Sequence, residues 1–243
     1  MSSRPGLVRA AVLALVVALT GCRMQVAVDI AVDDAGSGTV TVGIGLDDDA
    51  LARVGDLRRQ LRVDDLQHVG WEISEPQKEP DGLTWVRARK SFDDPAEATA
   101  VLSELTGPDG AFRGFTVGKE GGVLGTTYRV EGTVDLTAGP EAFSDAELAA
   151  ALGGDPYGGT LAAIEREEGQ RVADMVEFRV NVALPNASTK SYVASFDDEH
   201  PTSIDASSTV NSKAAVLLVW VLVAAAGLVA VVALRRAFRR VRA

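Results

Sequence analysis

Trp85, Arg87 and Arg89 occupy alternate positions of LTWVRARK, so an extended strand sets an indole and two guanidiniums on one face and Val86 and Ala88 on the other. Guanidiniums grip phosphate or carboxylate through charge-assisted, forked hydrogen bonds, and an indole offers a flat apolar plate beside them. The combination suits a phosphate or sugar headgroup; the alternative is an ordinary solvated strand face. Other chemistry is sparse. His68 and His200 stand far apart with no pattern of metal ligands around them, and the acid runs at Asp47–Asp49, Asp93–Asp94 and Asp197–Glu199 lack calcium-loop spacing. They fit helix starts and a solvated turn instead. The glycine cluster GGDPYGG lacks the Lys-Ser/Thr ending of a phosphate loop, and no serine sits in a G-x-S-x-G elbow. The expectation is a protein without catalysis, resident metal or cofactor.

The single cysteine, Cys22, carries the most specific signal. Arg4 and Arg9 precede the apolar run AAVLALVVAL, Ala10 to Leu19, which is too short to span a bilayer comfortably and reads as an export signal. Leu19-Thr20-Gly21-Cys22 then resembles the bacterial lipobox, in which diacylglycerol is joined to the cysteine before cleavage ahead of it. The alternative is a plain cysteine in an uncleaved signal anchor. One thiol makes no internal disulfide, so an exported fold must hold by packing alone.

At the other end, residues 214–234 run 21 positions without a charge, which at about 1.5 Å per helical residue matches a hydrocarbon core of roughly 30 Å. Arg235, Arg236, Arg239, Arg240 and Arg242 follow at once, against only Lys213 on the other flank. The positive-inside rule then makes the tail cytoplasmic and the preceding segment extracytoplasmic. That segment, 23–213, holds 17 Lys and Arg against 34 Asp and Glu, a formal charge of −17. Such a charge excludes nucleic acid as a partner and argues against bulk attraction to an anionic lipid surface. At 191 residues it is long enough for one domain with a sizeable core.

Hydrophobic periodicity orders the segment. Val26, Val28, Ile30 and Val32 alternate with smaller or polar residues, and after DDAGSG so do Val40, Val42, Ile44 and Leu46, which predicts a hairpin with one buried face. Asp47 or Asp48 caps a helix running to about Leu61, in which Arg58, Arg59 and Arg62 read as a wet face. Strands are expected at Trp71–Glu75 and Leu83–Phe92, then a helix from Asp94 with Pro95 and Glu97 in a capping-box pattern, ending near Gly107. Further strands follow at Phe112–Val117, Val123–Leu136, Val176–Leu184 and Ser191–Phe196. Between Ala138 and Gln170 two short helices flank the glycine break, forming the most mobile part and a candidate lid over an acyl-chain pocket lined by Val130, Val134 and Val180. The same valines fit a close-packed core equally well.

The domain plan is a lipoprotein signal at 1–21, an extracytoplasmic domain at 22–197, a tether at 198–213 in which SIDASSTV could add an edge strand, a membrane helix at 214–234 and a basic tail at 235–243. The expected fold class is α+β: an antiparallel sheet built from hairpins with helices packed on one face, plus one C-terminal transmembrane helix. The lipobox, the immediate strand MQVAVDIAV, the hairpin with a helix after it, the late strand ending in Leu184-Pro185 and the apolar span with its basic tail together resemble the LppM family of actinobacterial envelope lipoproteins. The resemblance implies an α+β lipid-binding fold at the cell surface and supplies no catalytic residues. The functional expectation is a membrane-anchored binding module for envelope lipid or glycolipid, with a protein-interaction or scaffolding module of an envelope complex as the competing class.

Overall fold

The computed structural model describes residues 23–54, 63–105, 110–122, 125–139, 165–166 and 169–212. The two opening strands, β1 (Met24–Val32) and β2 (Gly38–Leu46), form the predicted hairpin, antiparallel from Met24↔Leu46 to Val32↔Gly38. Its turn is made by Asp33, whose carboxylate accepts the Ala35 and Ser37 amides at 2.8 and 3.0 Å, while Gly36 takes the left-handed φ of 88°. Helix α1 (Asp48–Val54) starts under the Asp47 carboxylate, which accepts the Ala50 amide at 2.8 Å. After α2 (Val63–His68) come β3 (Glu72–Ile73), β4 (Gln77–Lys78) and β5 (Thr84–Phe92). Helix α3 (Pro95–Ser103) is capped by Asp94, which accepts the Ala96 and Glu97 amides, and Glu97 accepts the Asp93 amide at 2.6 Å, one residue before the cap rather than at the cap amide of a regular capping box. The remaining elements are β6 (Phe112–Gly121), β7 (Gly125–Val134), α4 (Val172–Met175), β8 (Val176–Ala183), β9 (Lys190–Ala194) and β10 (Thr202–Asn211).

These strands make two sheets. The larger has the order β3-β5-β2-β1-β8-β9, with β4 also paired to β5, and the smaller has the order β10-β7-β6. Their inner faces share one core, in which Val28, Ile30 and Val40 of the large sheet meet Val130, Val134 and Ile204 of the small one. Helix α3 packs on the end of this core through Ala98, Val101 and Leu102, all buried. The β1–β2 turn is tied to the small sheet by Tyr128, whose hydroxyl donates to the Asp34 carbonyl, and by Lys119, whose ammonium donates to the Ala35 carbonyl.

The expected fold class requires correction. There are two sheets rather than one with helices over a face, and the larger is mixed, because β8 runs parallel to β1 from Met24↔Val176 to Ala31↔Ala183. Alternation assigns side chains to faces and is blind to strand direction, so Val28 opposite Val180 and Ile30 opposite Val182 satisfy burial in either orientation. Strands dominate and the described helices are short. Among the described residues no helix is long and apolar enough to cross a membrane, and the span expected at 214–234 lies outside them. Also outside lie the signal segment, Cys22, the Arg58–Arg62 run, most of the 138–170 insert and the basic tail. The stretch read as a tether at 198–213 contains β10, antiparallel to β7 over ten positions.

Candidate functional site on the outer sheet face

The face of the large sheet turned away from the core carries the polar chemistry. Trp85 lies on it and is 4% exposed. Gly43 and Gly45 on the neighbouring β2 make room for the indole: a Cβ built on Gly45 would stand 2.7 Å from the ring, and one on Gly43 3.0 Å. The indole therefore rests flat on bare backbone. Its N–H donates to Asp81 Oδ2 at 2.9 Å, and the Leu83 amide donates to Asp81 Oδ1 at 2.9 Å. This fixes the tight turn from Glu79 to Leu83, where Gly82 takes a φ of 85°. Partial burial alone would push the Asp81 carboxyl up; the Leu83 amide, the Trp85 indole and the Arg23 and Arg87 charges outweigh it and hold the group below its ordinary value. Over the indole, 4.6 Å from its centre, lies the Arg87 guanidinium, which also makes a forked ion pair with Glu79.

Arg89 is on the same face two positions on and is exposed; among the described residues it makes no hydrogen bond or ion pair. It stands in a row of Cα partners that crosses the sheet through Glu72, Arg89, Thr41, Asp29, Asn181 and Ser191. The row is wired from the far side: Ser191 donates to Asn181 Oδ1 at 2.6 Å, and Asn181 donates to Asp29 Oδ1 at 2.7 Å. Between this row and the tryptophan, Arg179 of β8 pairs with Glu177 at 2.6 Å and keeps its Nε–H buried without a partner among the described residues.

Trp85, Arg87 and Arg89 are thus brought together as the strand alternation predicts. Val130, Val134 and Val180 are also brought together, at 0, 1 and 3% exposure, but inside the core between the sheets. The large sheet separates the two sets, with Val130 and Val134 across the core on the small sheet, so they do not form one site. Sequence reading missed the residues that hold the indole. Asp81 and Glu79 sit in a turn, where periodicity says nothing about direction, whereas Gly43 and Gly45, two apart between apolar neighbours, were a legible sign of a bare stripe. Among the described residues no group of three or more His, Cys, Asp or Glu could hold a metal ion.

No family model and no curated protein matches the chain. Among solved structures it is similar to the folded domain of Mycobacterium tuberculosis LppM, determined by NMR, at 13% identity over 80% of this chain and 94% of that one, with a TM-score of 0.40.

Proposed function

We propose that the chain is an envelope lipoprotein carrying diacylglycerol on Cys22, and that its extracytoplasmic domain is a non-enzymatic binding module for the headgroups of envelope lipids or glycolipids. The observation that carries the reading is Arg89: an exposed guanidinium without a partner among the described residues, on the same face as the Arg87–Trp85 stack and within a row of hydroxyl, amide and carboxylate groups. That mixture of donors and acceptors favours a polyhydroxylated or anionic headgroup over an acyl chain. Contact with the buried valines plays no part in it. Lipid extracted from the full-length protein purified out of bacterial membranes tests the proposal. Arg89→Glu is expected to strip a specific co-purifying lipid while leaving the melting temperature unchanged. An identical lipid complement in wild type and variant overturns it. The long edge of β10 favours a second reading, a protein-interaction module.

A further inference from the structure

β1 and β10 run in the same direction, so the chain enters and leaves the domain at opposite ends. β1 starts level with Val176 of β8, at the end where Arg171 pairs with Asp197 at 2.6 Å and Asp198 accepts the Thr202 hydroxyl that opens β10. Farther along, Ser208 is the Cα partner of Tyr128, whose hydroxyl donates to the Asp34 carbonyl in the β1–β2 turn. Asn211 therefore closes β10 beyond that turn, while Arg23 is fastened to Asp47 and to the Asp81 carbonyl at the other end. At about 3.3 Å per residue, β1 alone sets the two exits roughly 26 Å apart. Little sequence lies beyond either exit before a membrane-seeking group. Cys22 directly precedes Arg23, and only Ser212 and Lys213 separate Asn211 from the uncharged run 214–234.

We infer that the sandwich lies along the membrane with its strands parallel to the membrane plane and the β8–β9 side of the large sheet on the headgroup layer. The inference rests on the diacylglycerol proposed for Cys22 and on the 214–234 run entering the same membrane; it is independent of the reading of Arg89. Strands standing upright on Cys22 would lift Asn211 roughly 26 Å off the surface. Ser212 and Lys213 span about 7 Å at most, so about six residues of the apolar run would be drawn into water against the hydrophobic effect. Lying down removes that conflict, and the positions of the exits select the side. Within the large sheet only β8 separates β1 from β9, two strand spacings or about 10 Å. β10 meets β9 across the sandwich, a sheet-to-sheet spacing of about 10 Å, where the Asp205 carbonyl accepts from Lys190 and Tyr192. Turning β9 downward therefore brings both exits to one height. Outward on that side stand Ser191 and Val193 of β9 and Arg179 and Asn181 of β8. Val193 is 54% exposed, and Arg179 is its Cα partner. An apolar side chain beside a guanidinium suits the boundary between acyl chains and headgroups. Both attachments are continuous with the domain, so no bulk charge attraction is required.

The experiment uses the full-length protein purified from bacterial membranes and reconstituted in vesicles of phosphatidylcholine and phosphatidylglycerol. Because a lipidated Cys22 takes no thiol label, a fluorophore reports one introduced cysteine at a time. The positions are Val193→Cys and Ser191→Cys on β9, Ala35→Cys at the β1–β2 turn and Ser103→Cys on α3, all of them substitutions outside the core. Phosphatidylcholine carrying a nitroxide on its headgroup serves as quencher. The labels at Val193, Ser191 and Ala35 are expected to lose most of their emission and the label at Ser103 to keep it. A bright label at Ala35 means upright strands and overturns the inference, and quenching at Ser103 equal to that at Val193 overturns the side chosen. Intact mass of the same preparation separates the two failures. Absence of diacylglycerol on Cys22 removes the lipoprotein reading and the inference together, whereas a lipidated protein with a bright Ala35 label removes the inference alone.

Discussion

Gly43 and Gly45 decide what Trp85 can do. Because the indole lies on their bare backbone, its surface is spent on the sheet, and Arg87 covers the other side. Gly45→Ala is expected to lift the ring and destabilise the domain by roughly 1–3 kcal/mol, an overpacking cost. Urea denaturation followed by tryptophan fluorescence measures it, and unchanged stability would mean that the indole is not seated there. Asp81 supplies a pH signature. Its folded-state pKa lies below the unfolded value, so the unfolded chain binds more protons in the acid range and stability falls as pH drops below the ordinary 3.8. The wild type is therefore expected to exceed Asp81→Asn in melting temperature near neutrality, with the difference shrinking toward pH 3. A constant difference would mean that the lowered carboxyl is another group. At this scale the shared face of Trp85, Arg87 and Arg89 was legible, because alternation alone dictates it. The engagement of two of the three was not, since Asp81 and Glu79 reach them from a turn.

Elements with local causes were legible and those with long-range causes were not. The β1–β2 hairpin follows from two alternating runs around an Asp-Gly turn, and α3 follows from Asp94, Pro95 and Glu97. Asp94→Ala is expected to cost about 1 kcal/mol through two orphaned helix amides, read as a lowered denaturation midpoint. β8 joins β1 across some 140 residues of sequence, and nothing local marks it as parallel. β10 was readable only as an optional edge, because its serines and threonines dilute the alternation of Ile204, Ala206 and Val210. Val134 is 1% exposed, with Ile204 and Phe115 in the same core. Val134→Trp is therefore expected to destabilise the lipid-free protein by roughly 1–3 kcal/mol or more. An unaltered melting temperature would reveal room for an acyl chain that the burial of these side chains argues against.

For the molecule as a whole, charge bears on the proposed lipid attachment. A formal −17 over 23–213 gives no bulk attraction to an anionic surface, so a covalent lipid is the natural attachment at this end. If Cys22 is lipidated as proposed, its two acyl chains would supply the double signal that a single chain cannot. The fold starts immediately after that cysteine: the Arg23 amide donates to Asp47 Oδ2 at 2.6 Å, its guanidinium to the Asp81 carbonyl at 2.8 Å, and β1 begins at Met24. Because these contacts belong to Arg23 and not to the thiol, folding is separable from anchoring. Cys22→Ala is thus expected to abolish incorporation of labelled fatty acid and to leave a precursor that retains residues 1–21, seen as a heavier intact mass. The melting transition of its domain should stay within error of the wild type. Equal labelling of the variant would remove the lipobox assignment, and a collapsed transition would mean that the lipidated end contributes to the fold.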